Sequence, residues 1–151
     1  MFKKLIFVST ANTCRSAMAA AIYKSVDVSS DMEVTSRGIV VLFEEPVNAK
    51  AETVLNNHEL SISEHKSSQL VPQDADNDTL ILTMNEKQKN CVINDIGIHE
   101  NVYTITEFAD DYSSLSDPYG GDLAEYEKCY QELVRVIKKV VYKLSDNTTN
   151  V

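Results

Sequence analysis

The run Val8-Ser9-Thr10-Ala11-Asn12-Thr13-Cys14-Arg15-Ser16 constrains this chain more than any other stretch. Before it, Leu5-Ile6-Phe7-Val8 is continuous and apolar, the pattern of a short strand covered on both faces. After it, Ala17-Met18-Ala19-Ala20-Ala21-Ile22-Tyr23 is a run of strong helix formers, which predicts a first helix over residues 16–25. A small polar loop between a strand and a helix start is suited to an anion. Successive backbone N–H groups can point into one concavity, and the helix start adds partial positive charge. Arg15 then offers a planar fork matched to a phosphate.

The rest of the chain alternates between strand and helix patterns. Residues 32–36 alternate as a second strand, and Gly38 just after them suits a turn. Pro46-Val47-Asn48 opens a helix to about residue 57, with Asn48 as its cap. Residues 61–78 are polar and irregular, a loop with short helical turns. Thr79-Leu80-Ile81-Leu82-Thr83-Met84 is the clearest strand, and Asn85 can cap a helix running to about residue 92. Gly97 ends that unit, residues 101–105 form a fourth strand, and residues 107–116 are an acidic connection. The last helix spans residues 122–144. Its apolar stripe is Leu123, Tyr126, Tyr130, Leu133, Ile137, Val140 and Leu144, at gaps of three and four, and its tyrosines read as packing. The tail from Ser145 is expected to fray. Strands separated by helical segments predict parallel βαβ units with helices on both faces. Ligands of such sheets bind beyond the carboxyl ends of the strands, where the loop after the first strand lies.

Composition narrows the partner classes. A chain of 151 residues is expected to form a single domain, residues 1–151, burying about two-thirds of its unfolded surface. The net charge of −9 leaves few cations for neutralising phosphates and argues against nucleic acid. Lys3 and Lys4 precede only four apolar residues, too few for an export signal, and no stretch is long enough to span a bilayer. Cys14, Cys91 and Cys129 are widely spaced, which suggests reduced thiols and a cytoplasmic location. No metal-ligand cluster is visible among the cysteines and histidines, and no cofactor is implied.

The loop resembles the signature of the low-molecular-weight protein tyrosine phosphatases, Val-Cys-x-Gly-Asn-x-Cys-Arg-Ser between the first strand and the first helix. A second match lies far downstream, where Asp117-Pro118-Tyr119-Gly120-Gly121 resembles the family's Asp-Pro-aromatic segment ahead of the last helix. The resemblance covers nearly the whole chain. It implies a three-layer α/β sandwich, a four-stranded parallel sheet of order 2-1-3-4 with helices on both faces. It also implies the family's chemistry, in which a cysteine thiolate attacks phosphorus, an aspartic acid protonates the leaving group, and water hydrolyses the phosphocysteine. Carried over, Arg15 binds the phosphoryl group, Asp117 is the general acid, and the backbone of Thr10, Ala11, Asn12, Thr13, Cys14 and Arg15 forms the cradle. Asn12 resembles the loop asparagine, and Ser16, Ser36 and His65 stand where its hydrogen-bond partners would be. Thr13 and Tyr119 would flank the entering substrate. The implied partners are a phosphorylated protein and an inorganic phosphate or sulfate in the loop, with neither nucleic acid nor membrane.

Ser9 departs from the pattern, because it stands where the family carries its nucleophilic cysteine. A hydroxyl lacks the thiol's easy ionisation, and no histidine base is apparent from the sequence. Losing the nucleophile should cost on the order of 10⁴ to 10⁶ in rate. Two readings of Ser9 stay open at this point: a substitution that traps substrate in an otherwise complete site, and a natural pseudophosphatase that binds a phosphorylated partner. The second draws on Ala11 in place of the family's glycine, Ala17 for a frequent proline and Ala20 for a frequent glutamate. The substrate is open between phosphotyrosine and phosphoarginine. A bulky aliphatic before the second cysteine is typical of the phosphotyrosine enzymes, whereas Thr13 with Gly120-Gly121 resembles the bacterial branch acting on phosphoarginine. Arsenate reductases share the fold and loop but need a further cysteine pair. Cys91 has no second cysteine near it in sequence and reads as an inert, buried thiol.

Overall fold

The computed structural model describes residues 2–27 and 31–149. Its strands β1 (Lys4–Ser9), β2 (Glu33–Gly38), β3 (Thr79–Thr83) and β4 (Val102–Thr104) form one parallel sheet in the order β2-β1-β3-β4. That is the order the resemblance implies. Phe7 pairs with Ser36 on one side and Leu82 on the other, so β1 is central and flanked along its length. The helices α1 (Arg15–Val26), α2 (Ala49–Asn57), α3 (Glu86–Cys91), α4 (Ile105–Ala109) and α5 (Leu123–Thr149) connect and cover the strands.

Side-chain alternation along the central strands divides the core in two. Leu5, Phe7, Leu80 and Leu82 pack with α1, α2, α4 and α5 on one face. Ile6, Val8 and Ile81 point the other way, against Leu70, Val92, Ile98 and Val102. Helical segments on both faces explain why β1 is apolar at consecutive positions rather than at alternate ones. Ala17, Ala19 and Ala20 of α1 are buried, and their small size lets the helix lie close between the sheet and α5. Asn48 caps α2, its Oδ1 accepting from Lys50 N at 2.9 Å and Ala51 N at 3.3 Å. Asn85 caps α3 in the same way, accepting from Gln88 N at 2.8 Å.

Several elements differ from expectation. Gly38 makes no turn and is the last residue of β2. A Cβ there would lie 2.5 Å from Val41 Cγ2 and 3.0 Å from Asn12 Cβ, so close approach to the loop explains this glycine. Residues 105–109 form α4, where the sequence reading had the end of a strand and irregular chain. Thr104 and Glu107 make a capping box that starts it. After Cys91 the chain widens into a π-helical turn, Val92–Ile96, closed by Gly97 at φ 89°. The last helix does not fray at Ser145, and its backbone stays helical to Thr149. In its stripe Leu123 is exposed, while Cys129 and Val136 are buried alongside the expected residues. Cys91 is half-buried rather than buried. No described helix is long and apolar enough to cross a membrane.

Candidate active site

The loop of residues 10–14 leaves the carboxyl edge of the sheet at its central strand and enters α1 at Arg15. Its carbonyl groups are bound from outside. Ile39 N donates to Ser9 O at 3.0 Å and Thr10 O at 2.9 Å, and Val40 N to Thr10 O at 3.0 Å. His65 Nε2 lies 2.7 Å from Asn12 O, and Asn48 N donates to Thr13 O at 2.8 Å. A trans peptide carries its N–H opposite its carbonyl. Pulling the carbonyls of residues 9, 10, 12 and 13 outward therefore turns the N–H groups of residues 10, 11, 13 and 14 inward. None of these N–H groups donates a hydrogen bond to another described residue. The first turn of α1 also lacks a side-chain cap, so its amides add to the same concavity.

Asn12 organises this loop from inside. It is fully buried and left-handed, with φ 60°. Its Nδ2 donates to Ser16 Oγ and Ser36 Oγ, each at 2.9 Å, and its Oδ1 accepts from Ser68 N at 3.0 Å. With His65 on its carbonyl, every expected partner of Asn12 is in place and Ser68 joins them. Ser9 Oγ lies 2.6 Å from Ser16 Oγ. Because Ser16 already accepts from Asn12, its own hydroxyl proton is available to Ser9. Gln88 is a further support that sequence reasoning missed. Its Oε1 accepts from Met84 N at 2.8 Å while its Nε2 donates to Thr10 Oγ1 at 3.2 Å. Nothing in a short polar helix such as α3 marks one glutamine for that task.

Arg15 is buried at 7 %, yet its guanidinium makes no hydrogen bond to another described residue. Its one ionic partner among them is Asp117, with Oδ2 at 3.6 Å. The Asp117 side chain is 63 % exposed, and its Oδ1 accepts from Tyr119 N at 3.1 Å, which leaves Oδ2 toward the arginine. Tyr119 stands exposed at the rim, Thr13 is half-buried, and Thr10 and Ala11 are exposed. The structure thus brings Ser9, residues 10–15, Ser16, Ser36, His65 and Asp117 to one place, with Tyr119 on the segment beside it.

Cys14 cannot stand in for a nucleophilic cysteine. Burial pushes its thiol up to about 11; Arg15 opposes that rise, and the charge of Asp117 adds to it. A thiol in that state is protonated near neutral pH and unreactive. Beneath it lie Tyr126 and Cys129, both pushed up to about 12 chiefly by burial. The floor of the site is therefore neutral, and Arg15 supplies its positive charge. No group of three or more His, Cys, Asp or Glu able to hold a metal ion occurs among the described residues.

Inward-facing amides at a helix start, a buried arginine whose guanidinium makes no hydrogen bond to another described residue, and a facing carboxylate make a concavity suited to an anion on a parallel α/β sheet. The chain belongs to the low molecular weight phosphotyrosine protein phosphatase family, whose sequence profile matches residues 4–150. The low molecular weight protein-tyrosine-phosphatase PtpB of Staphylococcus aureus is 34% identical over 137 residues, 91% of this chain and 96% of that protein. The YwlE arginine phosphatase from Geobacillus stearothermophilus superimposes with a TM-score of 0.89 at 28% identity, covering 97% of this chain and 96% of its own. A cysteine-to-serine mutant of YwlE arginine phosphatase with a phosphorylated active site serine matches at TM-score 0.85 and 28% identity, covering 94% and 95%.

Proposed function

We propose that this chain binds a phosphorylated protein side chain, phosphoarginine or phosphotyrosine, in the loop of residues 10–15 and takes the phosphoryl group onto Ser9. The serine then holds turnover far below what a cysteine would give. One observation carries this reading: amides turned inward around a buried Arg15 whose guanidinium makes no hydrogen bond to another described residue, with Asp117 at 3.6 Å. Such donors meet the equatorial phosphoryl oxygens without reorganising during transfer.

In the transfer step Ser9 Oγ attacks phosphorus from the side opposite the leaving atom. The Oγ–P bond forms as the bond from phosphorus to the tyrosine oxygen or arginine nitrogen breaks. Asp117 gives its proton to the leaving atom, and the Ser9 proton passes to a phosphoryl oxygen. The resulting phosphoserine stalls, because a serine alkoxide leaves phosphorus far less readily than a thiolate. The phosphorylated serine of the YwlE arginine phosphatase mutant supports Ser9 as an acceptor. Thr13 with Gly120-Gly121, and the fit to YwlE arginine phosphatase, favour phosphoarginine of the two substrates. The free cysteines fit a reducing, cytoplasmic setting.

A second reading, a natural pseudophosphatase that only binds its phosphorylated partner, is favoured by Ala17 and Ala20. Both line an open surface pocket of about 540 Å³ that also reaches Ser36 and His65, beside the residues that support the loop. One experiment separates the two. Ser9→Cys should raise hydrolysis of p-nitrophenyl phosphate and of a phosphoarginine peptide by about 10⁴ or more. Intact mass of the unsubstituted chain after exposure to the phosphoarginine peptide should show one phosphoryl group on Ser9. A folded Ser9→Cys protein that binds phosphate without turnover leaves the binding module as the answer.

A further inference from the structure

We infer that Glu132 on α5 is a positioning residue for Asp117, acting through Ser116, with Lys50 on α2 closing the other end of the same segment; this rests on the proposed phosphoryl transfer. The segment Asp117-Pro118-Tyr119-Gly120-Gly121 has no regular structure, and Asp117 itself is exposed. Left to itself, such a loop would place its carboxyl over a wide range of positions. General acid catalysis needs the carboxyl within hydrogen-bond reach of the leaving atom, so something must hold this segment.

The holding groups lie at its two ends. Ser116, directly before Asp117, gives both its donors to one carboxylate: its N to Glu132 Oε2 at 2.8 Å and its Oγ to Glu132 Oε1 at 3.0 Å. Two bonds to a charged acceptor fix both the position and the rotation of that peptide. At the far end, Lys50 Nζ donates to Gly121 O at 2.5 Å. Within the segment Pro118 is buried, Gly121 N donates to Pro118 O at 2.7 Å, and Gly120 takes φ 79°. Among the described residues the Glu132 carboxylate hydrogen-bonds to Ser116 alone and makes no hydrogen bond or ion pair with Arg15 or residues 10–14. Since α5 is the long helix whose buried stripe anchors it to the core, Glu132 ties the acid to an element packed into that core. Lys50 is exposed, so its contribution is the smaller one.

The test uses the Ser9→Cys protein, with p-nitrophenyl phosphate as a good leaving group and phenyl phosphate as a poor one. Glu132→Ala should lower kcat for phenyl phosphate about tenfold or more while changing kcat for p-nitrophenyl phosphate by less than about threefold. Inhibition by inorganic phosphate should stay unchanged. Glu132→Gln, which keeps one acceptor oxygen, should recover part of the loss. In an Asp117→Asn background Glu132→Ala should add almost nothing, because both changes remove the same function. Hydrogen exchange on the unsubstituted chain supplies a readout without turnover, with Glu132→Ala speeding exchange at residues 116–121 while the core of α5 stays protected. Equal losses on both substrates, full additivity with Asp117→Asn, or unchanged exchange at residues 116–121 would overturn the positioning role and leave the phosphoryl transfer intact. An inactive Ser9→Cys protein would overturn the transfer and the positioning role together.

Discussion

Asn12 holds a left-handed backbone with four hydrogen bonds, and its partners lie 4, 24, 53 and 56 residues away along the chain. Asn12, Ser16, Ser36 and His65 were legible in the sequence only through the family resemblance, because Ser36 and His65 lie far from the loop along the chain and nothing local marks them. The contact from Ser68 was not legible, since it is a backbone N–H and any residue supplies one. Gly38 was singled out for the wrong reason: a glycine signals either a turn or a close approach, and only the fold tells which. On the proposed function, Thr13 is the residue whose side chain would sort substrates. It is half-buried in the loop, with its carbonyl fixed by Asn48 and its hydroxyl making no bond to another described residue. A hydroxyl there can bond a guanidinium or place a water, whereas a branched aliphatic would crowd it. In the Ser9→Cys protein, Thr13→Ile should lower the ratio of kcat/KM for phosphoarginine over phosphotyrosine by about tenfold or more. Parallel assays with two peptides differing only in the phosphorylated residue would measure it, and an unmoved ratio would remove residue 13 from the selection of substrate.

Elements with strong local signals were legible: the apolar β1 and β3, the alanine-rich α1, and α5 with its stripe. The short α4 was overlooked although Thr104-Ile105-Thr106-Glu107 carries a capping box, because five helical residues show no apolar period. The acidic connection after α4 hides a tertiary joint that no local pattern announces. Asp111 is buried, and its Oδ2 accepts from Lys139 Nζ at 2.9 Å and Arg135 Nε at 3.1 Å, four residues apart on α5. Its Oδ1 accepts from Ser113 N at 3.0 Å, so the joint also fixes the chain leading to Asp117. The hydrogen bond from Lys139, followed by those from Ser113 and Arg135, holds this carboxyl well below the usual carboxylate range. A depressed folded value means that the stability is fully present above the unfolded value of about 3.9 and is lost as pH falls below it. Asp111→Asn should therefore cost about 1–3 kcal/mol at pH 7, mainly as unpaired charge and lost charge-assisted bonds. Urea melts should show the gap between the two proteins narrowing as pH is taken from about 5 down through about 2. A gap that is constant over that range would mean the carboxylate charge plays no part in the joint.

At the scale of the whole molecule, a buried cation, Arg15, sits in a chain of strongly negative net charge. The net charge is −9, and Asp117, which faces Arg15, is followed closely in sequence by Asp122 and Glu125. On the proposed function, Arg15 and the loop amides act at contact distance and decide binding once a phosphate is seated. The acidic field acts earlier, on the approach, where it repels an anionic peptide and attracts one rich in lysine or arginine. These two ranges can be told apart with salt, because screening sets in beyond about 8 Å at physiological ionic strength and spares a seated ion pair. The Ser9 chain suits the measurement, since slow turnover lets association be followed by itself. Two peptides with the same phosphorylated residue, one flanked by basic and one by acidic side chains, should differ in association rate by about tenfold or more at low salt. Raising the ionic strength should slow the basic peptide, speed the acidic one, and bring the two rates within about twofold, with dissociation of each changing little. Stopped-flow fluorescence of labelled peptides would read both rates. A difference that persists undiminished at high salt would place the discrimination in direct contacts around Tyr119 and the rim, and the long-range field would have no part in choosing the substrate.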